Sequence, residues 1–293
     1  TPPNQKPVTK DQIFEYSVHV KDITPFAELF IPEFRLLEDA TLTGSYNSNN
    51  NTIVLNGSAK GFTYKGLDFS NWHIKGTNTG ASLEIEAGVS SISIVEKKTA
   101  EADKEKRALE NLLFKAYMQG DSINYNLNWN DNSAADHNIG DITGYFSFNN
   151  AAQINTRFRN FDVRINNQPW TAIQNDEILI DSTSVKIDNL EISSRTQKLR
   201  LKGKISDNPS DILTLYFEDL DVSNADLLID VRNVDFDGIL TGAVSVRDIY
   251  KTQRIEAQVE VKDFAFNKER MGDATIKSTW NHDISALEVN LDV

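Results

Sequence analysis

The residues best suited to acid–base or metal chemistry are scattered along this sequence. None of the four histidines is spaced from another as metal ligands are, and no H-E-x-x-H motif occurs. His19 lies between Val18 and Val20, which predicts a position on the solvated face of a strand. The chain has no cysteine, which excludes disulfides, thiolate metal sites and a cysteine nucleophile. These residues therefore predict neither a metal site nor a nucleophile.

Catalytic motifs are also absent from the sequence. There is no G-x-S-x-G, no phosphate-binding G-x-x-x-x-G-K and no G-x-G-x-x-G. Carboxylates are abundant, but they fall mostly in turns or at outward strand positions, whereas a glycosidase needs two facing carboxylates in a cleft. We expect a protein that is not an enzyme and has no catalytic residue, no metal and no cofactor.

Two weaker patterns allow other functions. Residues 233–238, Asn-Val-Asp-Phe-Asp-Gly, resemble the start of a calcium loop, but Val244 stands where a bidentate Glu belongs, so we favour an acidic turn. Trp170 follows a turn and could stack on a sugar, whereas Trp129 is in phase with apolar neighbours. A carbohydrate- or surface-binding β-sandwich is therefore an alternative interpretation.

The charge balance excludes some partners. The chain has 293 residues, with 30 basic and 43 acidic side chains and a formal net charge of −13. Nucleic acid is not expected as a partner, because its phosphates would be repelled. Anionic lipid headgroups would be repelled too, so a lipid ligand would have to be held by its tails. No apolar run approaches the ~20 residues of a transmembrane helix.

Alternation of apolar and polar residues dominates the sequence. It is clear in residues 123–129, 213–217, 255–261 and 287–293. Each such strand has one dry and one wet face, which is typical of antiparallel sheets. Turns rich in Asn, Asp and Gly separate the strands. The fold class is predicted to be all-β, with a long, mainly antiparallel open sheet. Because residues 287–293 stop within a strand pattern, we expect a fragment of a longer protein.

One segment departs from this pattern. Residues 99–119 carry Leu109, Leu112, Leu113, Ala116 and Tyr117 at helical spacing. The segment begins with a possible N-cap threonine and is followed by a glycine. An amphipathic helix over 99–119 is therefore predicted, lying against the sheet.

A short element of apolar residue, Thr and Gly recurs along the chain. It occurs at residues 42–44, 142–144 and 240–242, and residues 201–203 are a looser copy. Glycines within strand patterns usually mark a bulge or a close approach of two backbones. Repetition of this kind indicates a sheet that grows by the addition of similar strands.

Several segments in order carry a resemblance to a known family. They are residues 125–130, 139–144, 163–170, 185–190, 201–206, 212–217, 240–242 and 278–280. Together they make the stretch 120–293 similar to the repeating β-region of TamB proteins, a Bacteroidota-like member of the AsmA-like group. The resemblance implies a curved half-pipe or β-taco, apolar inside and polar outside.

The resemblance also implies location and partners. We expect a periplasmic segment of a Gram-negative envelope protein, anchored in the inner membrane by a part outside this sequence. Its role would be phospholipid transport between the inner and outer membranes, outer-membrane protein translocation and assembly with a TamA-type β-barrel, or both. The segments would be 1–98 and 120–293, both lining a groove, with the helix 99–119 between them in one continuous domain.

The apolar faces of the predicted strands are candidates for binding phospholipid acyl chains. An open apolar surface usually marks a binding site. A structural scaffold without lipid, with open sheet edges for added strands, remains an alternative. The candidate lining residues are Ile123, Tyr125, Leu127, Phe146, Phe148, Leu213, Leu215, Phe217, Val259, Val261, Leu287, Val289 and Leu291.

Overall fold

The fold is that of a computed structural model, which describes residues 11–21, 23, 29–79, 82–94, 107–131, 138–148, 153–165, 167–173, 177–223, 236–248, 251–252, 254–281 and 286–293. Within these residues the chain is almost entirely β, and helical turns occur only at residues 29–30 and 222–223. The nineteen strands pair antiparallel with open edges, so the predicted fold class is confirmed. The chain divides into two compact units, unit 1 (Thr1–Asn130) and unit 2 (Asp131–Val293).

Unit 1 is a meander of antiparallel strands. The short strand β2 pairs with residues 62–63 of β4, and β3 pairs with residues 52–59 of the same strand. The other side of β3 pairs with β1. From β4 to β8 each strand pairs with the next in the chain. The strands are β1 (Ile13–Val20), β2 (Arg35–Leu36), β3 (Ala40–Asn47), β4 (Thr52–Tyr64), β5 (Leu67–Thr79), β6 (Ser82–Ile94), β7 (Arg107–Gln119) and β8 (Ser122–Asn130).

Unit 2 is also a meander. Here β11 and β12 both lie between β10 and β13, and all later strands pair in chain order. The strands are β9 (Ile139–Phe148), β10 (Ile154–Ile165), β11 (Gln168–Ala172), β12 (Ile178–Ile180), β13 (Ser184–Ser194), β14 (Gln197–Ser206), β15 (Ile212–Asp221), β16 (Phe236–Arg247), β17 (Arg254–Phe266), β18 (Glu269–Asn281) and β19 (Ala286–Asp292).

The helix predicted at 99–119 is wrong over its described part. Residues 107–119 form strand β7, which pairs with β6 and β8, while residues 99–106 lie outside the described residues. The spacing from Leu109 to Leu112 has another cause, because Asn111 has a φ of 51° and shifts the alternation by one residue. Leu109 and Leu112 lie opposite Ile92 and Val89 of β6. A strand with one such irregularity imitates the three-residue spacing of a helix.

The same irregularity recurs in other strands. A single Asn or Asp with positive φ interrupts β5 at Asn71, β15 at Asp219 and β17 at Asp263. These residue types tolerate the left-handed conformation better than β-branched residues do. In β15 the pairing with β16 shifts register between Phe217 and Leu220, which marks a bulge. The bulge keeps apolar residues on one face although their spacing changes from two to three.

The recurring Thr-Gly element lies beside these bulges. Gly242 of β16 is opposite Phe217, and the backbone N–H of Asp219 donates to the hydroxyl of Thr241 at 3.2 Å. In β9, Gly144 and Thr143 lie opposite Phe158 and Asn160, where β10 also shifts register. The sequence-based prediction that such glycines mark bulges or close approaches is confirmed at these two copies.

Candidate functional site

A continuous apolar face runs across the strands of unit 2. Residues directly opposite in an antiparallel pair lie on the same face of a sheet. The register therefore carries one face from β9 to β19 through rows of facing residues. The first row consists of Ile187, Gly203, Leu213, Val246 and Ile255. The second row consists of Leu190, Leu201, Leu215, Val244, Ala257, Ser278 and Val289. The third row consists of Phe217, Gly242, Val259, Ile276 and Leu291.

The predicted lining residues fall on common faces within each unit. Ten of them lie on the apolar face of unit 2, from Phe146 and Phe148 on β9 to Leu291 on β19. Ile123, Tyr125 and Leu127 lie on β8 of unit 1, opposite Met118, Ala116 and Phe114. The candidate set is therefore divided between the two units.

The apolar face of unit 2 is only partly covered. Among the described residues of the chain, no large side chain is fully buried. In unit 2 the strand pairs whose backbones lie close together are hydrogen-bonded neighbours. Leu213, Leu215 and Phe217 are half-buried, and Val289 and Leu291 are 59% and 61% exposed. Val259 and Val261 lie on the same face but are almost buried by their neighbours.

The face extends further than one acyl chain. Strands lie about 4.8 Å apart, so the ten successive strand positions of unit 2 span roughly 45 Å along the sheet. One leaflet of a bilayer has a hydrocarbon depth of about 15 Å, which is half of the ~30 Å core. The face therefore has room for more than one tail.

The opposite face of unit 2 is polar and carries ion pairs between neighbouring strands. Lys198 bonds Glu218 at 3.0 Å across β14 and β15, and Arg247 bonds Glu256 at 2.8 Å across β16 and β17. These pairs are solvent-exposed, so each contributes about 0–1 kcal/mol. The two faces thus differ in polarity: one is suited to contact with water and the other to contact with apolar ligands.

Two turns at strand ends of unit 2 contain carboxylates whose pKa is lowered. Asp181, between β12 and β13, accepts hydrogen bonds from the Ser184 hydroxyl and the Thr183 backbone N–H, which lower its pKa from 3.8 to about 2. The Ser206 hydroxyl, followed by the Lys204 ammonium, lowers the pKa of Asp211. Both carboxylates accept hydrogen bonds within the turns in which they lie and so stabilise those turns.

The structure also bears on the tryptophan, histidine and calcium-loop candidates from the sequence analysis. Trp170 is only 5% exposed and lies on the apolar face opposite Val163, which argues against the alternative in which an exposed Trp170 stacks on a sugar. His19 is on a solvated strand face as predicted, with its Nε2 2.8 Å from Asp39. Of the calcium-like turn, residues 233–235 lie outside the described residues. In the described residues, no group of three or more His, Asp or Glu side chains is placed to hold a metal ion.

Sequence reasoning missed part of the apolar face. Ile187, Ile192, Leu199 and Leu201 continue it on β13 and β14, and Ile276 continues it on β18. In β13 a bulge hides this continuity, because the register shifts between Ile187 and Leu190. Restarting the two-residue count after Asn189 returns Leu190 and Ile192 to the face of Ile187.

Comparison with known proteins gives no assignment. No family model, curated protein or solved structure matches the chain. Among the described residues no helix has the length and apolarity needed to cross a membrane.

Proposed function

We propose that the chain is a periplasmic segment of a TamB-like envelope protein that shelters lipid acyl chains on an apolar sheet face. In this role it would serve phospholipid transport between the two membranes, outer-membrane protein assembly, or both. The observation that carries the proposal is the apolar face of unit 2, in which the rows that join β9 to β19 contain apolar residues and a few uncharged polar ones such as Thr156 and Ser278. The resemblance of residues 120–293 to TamB repeats agrees with it.

The energetics suit a ligand that binds firmly and still moves. Burial of each methylene contributes roughly 0.8 kcal/mol, so a tail is held by many small contacts rather than by one anchor. No charged side chain interrupts the rows through Leu213, Leu215 and Phe217. A tail that shifts along such a face exchanges one apolar contact for another, which keeps the barrier to sliding low.

The first experiment is mass spectrometry of lipids extracted from the gently purified chain, with a soluble β-sandwich of similar size as control. Phospholipid well above the control is expected. The binding face is then located by benzophenone photo-crosslinking at Val289, which faces the apolar side, and at Glu288, its neighbour on the polar side. We expect lipid adducts at position 289 and few at 288.

Two outcomes would contradict this proposal. The absence of lipid above the control would remove the sheltering role, and equal adducts at 288 and 289 would show adsorption without a preferred face. Because both positions lie on the same exposed strand, differences in accessibility cannot explain a contrast between them.

One observation favours a scaffold as a second role. Among the described strands, β19 pairs only with β18, so its outer edge presents unpaired backbone groups. Leu287, Val289 and Leu291 are exposed beside that edge. An edge of this kind can accept an added strand. A chain that binds no lipid but captures a β-strand peptide would support the scaffold alone.

A further inference from the structure

A cluster of uncharged polar side chains lies at one end of the apolar face of unit 2. The amide Nε2 of Gln197 donates to the Oε1 of Gln168 at 3.0 Å, and the backbone N–H of Asp221 donates to Gln197 Oε1 at 3.0 Å. Gln197 thus links β14 to β11 and β15 and is 7% exposed. These bonds fix the cluster at the rim of the apolar rows.

Two polar atoms in this cluster are buried without a protein partner. They are Nε1 of Trp170 and Oγ of Ser194, and their residues are 5% and 2% exposed. Thr171 of β11 lies opposite Ser193 of β13, so the next step of that register sets Trp170 beside Ser194. Both belong to the apolar face, because Trp170 faces Val163 and Ser194 faces Gln197.

The hydrogen-bonding capacity of the Trp170 indole N–H and the Ser194 hydroxyl determines which ligand atom they can bind. The indole N–H is a donor only, and the hydroxyl can donate as well as accept, so an oxygen acceptor satisfies both. Leaving either one unpaired inside the protein is costly. The residues of the cluster that supply side chains are uncharged, and an anion buried among them would lose its hydration without a counter-charge. A neutral oxygen therefore fits better than a phosphate.

We infer that Trp170 and Ser194 form a subsite for the ester carbonyl of an acyl lipid whose tail lies on the apolar face. The inference rests on the proposed function and adds the part of the lipid that is recognised. Both atoms are shielded by surrounding side chains, so the carbonyl must displace some of them to arrive. A hydrogen bond made there does not compete with water and is correspondingly strong. Selection would be for ester-linked lipids, with little dependence on the headgroup.

The test compares two phosphatidylcholines of equal chain length, one with ester-linked and one with ether-linked tails. Each competes with a pyrene-labelled lipid bound to the intact chain. We expect the ester lipid to compete about tenfold better, equivalent to about 1.4 kcal/mol. Ser194→Ala and Trp170→Phe should bring the ratio of ester to ether competition towards one. The infrared band of a ¹³C-labelled ester carbonyl should shift on binding to the wild type and not to the double variant.

Thr171→Ala is the matched control, because Thr171 follows Trp170 in β11 and is exposed on the opposite face. It should keep the wild-type ratio. Equal competition by ester and ether lipids on the wild type would overturn the inference and leave the sheltering role intact, with an ordered water as the partner of the two atoms. If the labelled lipid does not bind at all, the proposed function fails and this inference fails with it.

Discussion

Gly242 lies where β16 has no room for a side chain. Its φ is 143°, and a Cβ there would collide with the carbonyl oxygen of Gln258 and lie 2.7 Å from the Cα of Val259. Backbone conformations of this kind cost a non-glycine residue on the order of 1–3 kcal/mol. We expect Gly242→Ala to lower the free energy of unfolding by at least about 2 kcal/mol in urea titrations.

Gly76 of β5 provides the matched control for that substitution. A Cβ at Gly76 would meet the Leu55 side chain at 3.6 Å and the Glu84 carbonyl oxygen at 3.9 Å, both ordinary contacts, and the φ of Gly76 is not in the left-handed region. Gly76→Ala should change the free energy of unfolding by less than about 0.5 kcal/mol. Equal effects of the two substitutions would show that crowding at Gly242 does not matter for stability.

Asp181 illustrates how one turn couples stability to pH. The Ser184 hydroxyl and the Thr183 backbone N–H bond the ionised carboxylate and lower its pKa to about 2. Because the folded pKa lies below the ordinary value of 3.8, the stabilisation is complete above about pH 4 and is lost as the pH falls towards 2. Ser184→Ala should raise the Asp181 pKa towards 3.8, measured by carboxyl carbon NMR. Ser182→Ala, in the same turn, should leave it near 2.

At the level of the strand, bulges need their own hydrogen bonds. The extra residue in β15, Asp219, has its backbone N–H capped by the Thr241 hydroxyl at 3.2 Å. The side chain of Asp273 caps the backbone N–H of Asp263 in the same way, at 3.0 Å. A neighbouring strand therefore supplies the acceptor that the interrupted ladder lacks.

Removing such a cap should destabilise the sheet locally. Thr241→Val keeps the shape of the side chain but leaves the Asp219 N–H without its acceptor, which should cost about 1 kcal/mol. Thr241→Ser retains a hydroxyl and should stay closer to the wild type. Faster hydrogen exchange at the Asp219 amide in the valine variant, and not in the serine variant, would identify the cap as the cause. Unchanged exchange in both variants would contradict this.

Bulges also explain which elements the sequence predicted. Regular stretches such as residues 123–129 and 213–217 have an undisturbed two-residue period, and they form strands as expected. In β7 the left-handed Asn111 produces an apolar spacing of three, and a helix was predicted instead. A local pattern contains no information on whether a three-residue step is a helical turn or a bulge. The pairing of β7 with β6 and β8 decides it, and that pairing is not local.

For the molecule as a whole, the sequence predicted on which face of the sheet a residue lies better than it predicted which residues it contacts on that face. Leu215 and Val289 share a face because parity along each strand and register between strands both follow from the alternation. The burial of Trp170 could not be predicted, because it depends on the contact of β11 with β13, two strands apart in the chain. The same holds for the pairing of Gln168 with Gln197. Periodicity thus assigns a residue to a side of the sheet but not to its neighbours on that side.

A ligand on the apolar face should stabilise the protein in proportion to its occupancy. Lipid at one hundred times its Kd should raise the free energy of unfolding by about 2.7 kcal/mol. Val289→Glu should reduce this gain, because its carboxylate stands on the apolar face, while the unliganded stability should change by no more than about 0.5 kcal/mol, since Val289 is 59% exposed. Val259→Glu is unsuitable, because a charge at a 6% exposed position would destabilise the fold itself.

Asn290→Glu is the control for that variant, because it adds the same charge to β19 on the polar face. It should keep the full gain from lipid, so the comparison separates the position of the charge from its sign. Urea denaturation with and without lipid measures all three proteins. If Val289→Glu and Asn290→Glu gained equally, the apolar face would not be the surface that holds the tail, and the partly exposed rows around Leu215 would need another explanation.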